Sequence, residues 1–135
     1  MIKEGYTSNE RIKEESDFLR GNISGLLHDG GITHFPSEEE FLLKFHGITQ
    51  QDNRDERLIR KKNGQERNWL FMLRLRLPGG RMTPSQWLAA ETLSDQFGNG
   101  SLKLTTRQAI QIHGVVKQDL KQTMKDIHHA AITTI

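Results

Sequence analysis

The stretch LTTRQAIQIHG, Leu104 to Gly114, sets a guanidinium, an amide and an imidazole along one extended segment. Ile110 and Ile112 alternate with Gln111 and His113, the period of a strand buried on one side, so the polar pair faces away from the core. Counting back by twos adds Arg107, Thr105 and Lys103 to that surface. A cation, a hydroxyl, a guanidinium, an amide and an imidazole together can hold several carboxylates of a polyanionic ligand without a metal. A bend near Thr106 and Arg107 interrupts strict parity between the two halves. An ordinary wet sheet face carries the same residue types, and a histidine, with its usual pKa of about 6.5, need do no more there than make a hydrogen bond.

A second pair lies upstream. In WLFMLRLRLPGG, Trp69, Phe71, Leu73, Leu75 and Leu77 share one parity while Met72, Arg74 and Arg76 share the other. One face packs and the opposite face presents two planar donor forks, which suit an oxyanion such as a carboxylate, sulfite or phosphate. Strand arginines also pair with neighbouring acids for little gain, so the spacing alone leaves both readings open. Metal chemistry has no such pattern. The chain has no cysteine, His28, His34 and His46 are scattered, and His128 and His129 point about 100° apart on a helix. No metal site is expected.

The elements that must hold these residues are legible by period and punctuation. Thr7, Ser8 and Asn9 offer a cap for a helix with apolar positions at Ile12, Leu19, Ile23, Leu26 and Leu27, ended by Asp29-Gly30-Gly31. HFPSEEE reads as a turn with Ser37 capping a short acidic helix. Leu42 to Ile48 reads as strand-like, and a polar connection with a turn at Asn63-Gly64 follows. Pro78-Gly79-Gly80 stops the arginine strand, and Thr83, Pro84 and Gln86 start a helix that ends at Gly98. Two strands, Ser101 to Thr105 and Ala109 to Val116, lead to a final amphipathic helix from Gln118 to about Ala130. The order from Trp69 is β-α-β-β-α, a ferredoxin-like half-domain of the α+β class with helices on one sheet face and the other face left open. The chain divides at this stage into 1–66, a helical and extended segment, and 67–135, the half-domain.

Composition bounds the rest. At 135 residues, with 34% hydrophobic and 27% charged residues and a net charge of +2, the chain can bury one modest core. The excess charge is local: Arg54, Arg57, Arg60, Lys61, Lys62 and Arg67 crowd a segment that also holds Asp52, Asp55, Glu56 and Glu66, the mixture of a solvated face. No long apolar run or signal pattern occurs, which leaves the cytoplasm as the default compartment and gives no reason to expect a membrane partner. The apolar, β-prone ending AITTI carries no terminator, and continuation into a larger protein is expected.

LRLRLPGGRMT (Leu73 to Thr83), followed about twenty residues later by LTTRQAIQIHG, resembles the signature of the siroheme-containing sulfite and nitrite reductases. FLRG (Phe18 to Gly21) and KFHGITQQDNRDER (Lys44 to Arg57) are similar to the hemoproteins of the NADPH-dependent sulfite reductases in particular. The resemblance implies a six-electron reduction of sulfite to sulfide at a siroheme coupled through a cysteine thiolate to a 4Fe-4S cluster. It implies electrons from NADPH through an FAD- and FMN-bearing flavoprotein partner. It also implies that Arg107, Gln111 and His113, with Thr105 and Lys103 nearby, hold the carboxylate-fringed macrocycle, and that Arg76 faces the substrate anion, with Arg74 in support. Lys103 stands where arginine is common in the family, and Thr49 where an aromatic is common. With no cysteine of its own, this chain is expected to supply part of the siroheme and anion site and to be inactive without the rest of its own chain.

A ferredoxin-dependent nitrite or sulfite reductase of the same superfamily is the nearer alternative. A small nucleic-acid-binding module is the more distant one, since a basic βαββα sheet invites it. Against it, Trp69 and Phe71 fall on the core parity and leave no aromatic pair to stack bases, so no nucleic-acid partner is expected.

Overall fold

The computed structural model of the chain describes residues 5–134. Its centre is strand β2 (Trp69–Arg76), whose alternation buries Phe71, Leu73 and Leu75 completely while Arg74 and Arg76 stay exposed. Antiparallel neighbours flank it, β1 (Ile48–Asp52) on one side and β4 (Ala109–Val115) on the other, and β3 (Leu102–Leu104) closes the far edge, giving the order β1-β2-β4-β3.

Two helices seal the core face. Helix α5 (Pro84–Phe97) starts where the sequence says it should: the Thr83 hydroxyl accepts from Gln86 N at 3.2 Å and the Gln86 side-chain carbonyl accepts from Thr83 N at 2.9 Å. It contributes Ala90 and Leu93, and α6 (Leu120–His129) contributes Leu120 and Ile127, to a cluster with Ile110, Ile112 and Val115. The strand-helix order and the one-sided helical layer are those of an α+β ferredoxin-like half-domain. Phe35, Leu43 and Ile48, from the segment before β2, complete the same core.

Strand β4 keeps three apolar residues inside by means of a bulge. Leu73 is paired with Ile112 but Phe71 with Val115, so the single residue Met72 lies opposite both His113 and Gly114. Asn99 N, just past the end of α5, donates to His113 O at 2.8 Å and fixes the extra residue from outside the sheet.

The N-terminal segment departs from the sequence expectation in four places. The single long helix is two, α1 (Ser8–Glu15) and α2 (Ile23–His28), separated by left-handed backbone at Asp17, Phe18 and Leu19. The run expected as a strand from Leu42 is helical: α3 (Ser37–Leu43) continues as a 3-10 turn over Lys44–His46, and the strand begins only at Ile48. Leu42 and Leu43 are consecutive and both buried, which a strand with one wet face does not permit. Ser37 is the first helical residue rather than the cap, and no side chain caps that end. The polar connection after β1 contains a further short helix, α4 (Arg57–Lys62). The apolar tail does behave as β-prone: Thr133 bridges Arg76, and Ile132 and Thr134 are buried.

Candidate functional site

The open end of β2 delivers Arg74 and Arg76 to one cleft of about 500 Å³. Arg107 reaches it from the loop joining β3 to β4, and Lys44 from the 3-10 turn before β1. Among the described residues, no aspartate or glutamate lines the cleft. Phe45 and Thr134 form part of its wall.

Local structure explains why these four cations converge. Gly47 ends the 3-10 turn in left-handed conformation (φ 73°), donates to Lys44 O at 3.3 Å and accepts from Arg74 N at 2.8 Å, so the turn bearing Lys44 is tied to the strand bearing Arg74. Arg76 N donates to Thr133 O at 2.7 Å, which draws the tail along the same edge. On the far side, the Thr105 hydroxyl accepts from Arg107 N at 3.3 Å and from Ala109 N at 3.1 Å, and Thr105 N donates to Ala109 O at 2.9 Å. Thr105 therefore builds the loop that carries Arg107, and keeps its own hydroxyl hydrogen to donate.

Charge is distributed unevenly over the molecule. Arg11 is paired with Glu15 at 3.0 Å and Glu38 at 3.1 Å, Arg60 with Glu56 at 2.9 Å, and Arg57 with Asp52, whose carboxyl it holds below the usual range through hydrogen bonding. The charged segment read as a solvated face thus holds two of these pairs, at Arg57 and Arg60. Among the described residues, by contrast, Lys44, Arg74 and Arg107 have no carboxylate partner. Three unpaired cations in one concavity make a positive potential that nothing in the described chain cancels.

The cleft continues onto the open sheet face through Arg74. Register puts Arg74 beside Gln111 and Gln111 beside Lys103, a row running across β2, β4 and β3. His113 lies one step along β4, with Nε2 at 3.1 Å from Gln111 Oε1, which requires the proton on Nε2. Burial, and secondly the Lys103 ammonium, lower the His113 pKa, so the ring is neutral at physiological pH and donates to the amide. Replacing Lys103 by glutamine should raise the His113 midpoint only part of the way back to its ordinary value, because burial is the larger cause; a ring-proton NMR titration reads this directly.

The expected site residues thus fall into two adjoining groups: Arg74, Arg76 and Arg107 in the cleft, and Lys103, Gln111 and His113 on the face, with Thr105 beneath the loop. Lys44 was missed by sequence reasoning, since its run reads as a strand and its three partners lie at least thirty positions away. The aromatic rings of β2 offer no stacking platform. Phe71 is buried, and Trp69 stacks on His34 at 4.9 Å with Arg67 at 5.4 Å over the ring. No described helix is long and apolar enough to cross a membrane, and no group of three or more metal-ligating side chains occurs among the described residues.

The profile of the nitrite/sulfite reductase ferredoxin-like half domain matches residues 63–130. The chain belongs to the nitrite/sulfite reductase family. The matched span holds every expected site residue and excludes Lys44. The chain is 54% identical over 131 residues to sulfite reductase (NADPH) subunit beta of Saccharomyces cerevisiae, covering 95% of this chain and 9% of that protein. It is 47% identical over 126 residues to the sulfite reductase (NADPH) hemoprotein beta-component of Bacillus subtilis, covering 93% of this chain and 22% of that protein. The structure of Mycobacterium tuberculosis NirA superposes with a TM-score of 0.74 at 16% identity, over 95% of this chain and 24% of that one, which shows a shared fold. The chain therefore spans less than a quarter of the length of these relatives.

Proposed function

We propose that this nitrite/sulfite reductase chain forms one wall of the siroheme and anion site in the hemoprotein of an NADPH-dependent sulfite reductase, reducing sulfite to sulfide. The observation that carries the reading is the cleft lined by Lys44, Arg74, Arg76 and Arg107, with no acid among its described walls, continuous with the Gln111 and His113 face. That donor set fits siroheme: a macrocycle fringed with carboxylates needs several cations and neutral donors spread over a surface, and the guanidiniums and amide beside an open sheet face supply them. Arg107, Lys103, Gln111 and His113 are the residues that would hold its rim, with Thr105 fixing the loop. When bound, siroheme coupled to a 4Fe-4S cluster would pass electrons from the external donor to sulfite for the six-electron reduction.

The chain's own contribution is electrostatic. Arg76 stands at the end of β2 with its backbone held to Thr133, and its guanidinium brings to the cleft a positive charge that would attract sulfite and stabilise charge on what forms from it. This chain has no cysteine, so thiolates for the cluster come from outside it. The electrons come from NADPH, which the names of the relatives carry, through the flavoprotein partner that the family resemblance implies. In the longer hemoprotein, Arg76→Ala should lower sulfite turnover at subsaturating sulfite by roughly tenfold to a hundredfold, the usual weight of one charged hydrogen bond, while siroheme occupancy stays near normal. Unchanged turnover in that variant removes Arg76 from the anion site.

A further inference from the structure

The four cations of the cleft do not arrive together. Arg74 and Arg76 come from β2 and Arg107 from the loop before β4, whereas Lys44 comes from the 3-10 turn on the other side. That turn is held from three directions: Gly47 O accepts from Arg74 N at 2.8 Å, His46 Nε2 donates to Leu19 O at 2.8 Å, and the Phe45 ring meets Phe41 edge-on at 5.3 Å. The Lys44 backbone is thereby fixed relative to the arginine strand. Among the described residues its ammonium has no carboxylate partner and no acid shares the cleft. An ammonium is a point charge with no fork to match an anion's shape. In such a place it contributes field rather than geometry.

We infer that Lys44 makes this cleft a reader of anion charge, set for a doubly charged oxyanion over a singly charged one of similar size. The inference rests on the anion-site reading above and extends it to a residue and a selectivity. Coulomb attraction is proportional to the charge of the ligand, whereas hydrogen bonding and fit are not. If removing the Lys44 charge weakens a monoanion by a factor f, it weakens a dianion at the same place by f squared, whatever the local dielectric. At a separation of about 6 Å in a water-like dielectric, f is roughly 3, so the expected losses are about threefold for the monoanion and about tenfold for the dianion. Sulfite carries a second ionisation that nitrite lacks, so the same field separates the two substrates of the family.

The test uses the 135-residue chain and two redox-inert oxyanions, sulfate as the dianion and nitrate as the monoanion, titrated by calorimetry or amide chemical shifts at low ionic strength. Expected results are tighter binding of sulfate than nitrate by the natural chain, losses of about tenfold and about threefold in Lys44→Gln, recovery of both in Lys44→Arg, and convergence of all three proteins at high salt as the charges are screened. Lys44 is exposed, so both variants should keep the fold, which circular dichroism checks. Equal losses for the two anions in Lys44→Gln overturn the inference, as do unchanged affinities, or a natural chain that binds neither anion or prefers nitrate. The outcome is separable from that of the proposed function. If the squared relation holds but Arg76→Ala leaves turnover intact, the charge reader stands and the catalytic reading falls.

Discussion

Gly47→Ala is expected to cost about 3.5–6 kcal/mol of folding stability, against about 1–2 kcal/mol for Gly64→Ala. Both glycines have left-handed backbone, φ 73° at Gly47 and φ 64° at Gly64, so both replacements carry the strain of about 1–2 kcal/mol that any L side chain meets there. They differ in surroundings. A β-carbon at Gly64 meets nothing within 4 Å, whereas one at Gly47 would lie 2.0 Å from the carbonyl oxygen of Thr134. That oxygen is backbone, so the tail has to leave. Its departure exposes Ile132, worth about 1.5–3 kcal/mol, and breaks the Arg76 N to Thr133 O bond, worth about 1 kcal/mol. The sum is a large part of the roughly 5–15 kcal/mol that holds a domain together. Urea denaturation of the two variants side by side measures the difference, and equal losses would show that the tail contributes nothing. The cleft should suffer with the fold, because Gly47 also accepts from Arg74 N and Thr134 lines the wall.

The same contacts mark the border between what the sequence discloses and what it hides. Helix α5 was legible because its start is local: threonine, proline and glutamine at Thr83, Pro84 and Gln86 satisfy its first donors without help from elsewhere. Strand β2 was legible because its alternation is strict, and with it the exposure of Arg74 and Arg76. Strand β1 was hidden by Gln50, which sits at a core position with 7% exposure. Its amide accepts from Phe35 N at 2.7 Å and donates to Phe35 O at 3.1 Å, so a side chain does for Phe35 what a neighbouring strand would. A polar residue buried in this way erases the alternation that identifies a strand. The left-handed turn at Asp17 to Leu19 was invisible for a related reason, since Asp17 alone is a type that favours positive φ while Phe18 and Leu19 give no hint of it. For the site, the face residues Lys103, Gln111 and His113 followed from parity, while the convergence of Lys44 with Arg107 depends on pairings far apart in sequence, which no local pattern encodes.

Arg107→Ala should weaken siroheme retention by the longer hemoprotein about tenfold to 150-fold, the weight of a charged hydrogen bond of about 1.5–3 kcal/mol to a rim carboxylate. The substitution isolates the guanidinium from the fold. The loop around it is held by the Thr105 hydroxyl, which accepts from the backbone N of Arg107 and of Ala109, and by the bond from Thr105 N to Ala109 O; none of these uses the Arg107 side chain. Alanine therefore keeps the loop and removes only the fork that it presents. The side chain is exposed and has no carboxylate partner among the described residues, so no acid is orphaned by its loss. Visible absorbance per mole of protein after gel filtration gives the occupancy, and repeating the filtration at raised salt should narrow the gap, because the charge part of the Arg107 contact is screened together with that of Lys44, Arg74 and Lys103. Arg107→Lys retains the charge but not the planar pair of donors, and should recover part of the occupancy, more at low salt than at high. Full occupancy in Arg107→Ala under both conditions would assign the macrocycle rim to other residues and leave Arg107 a solvated loop cation.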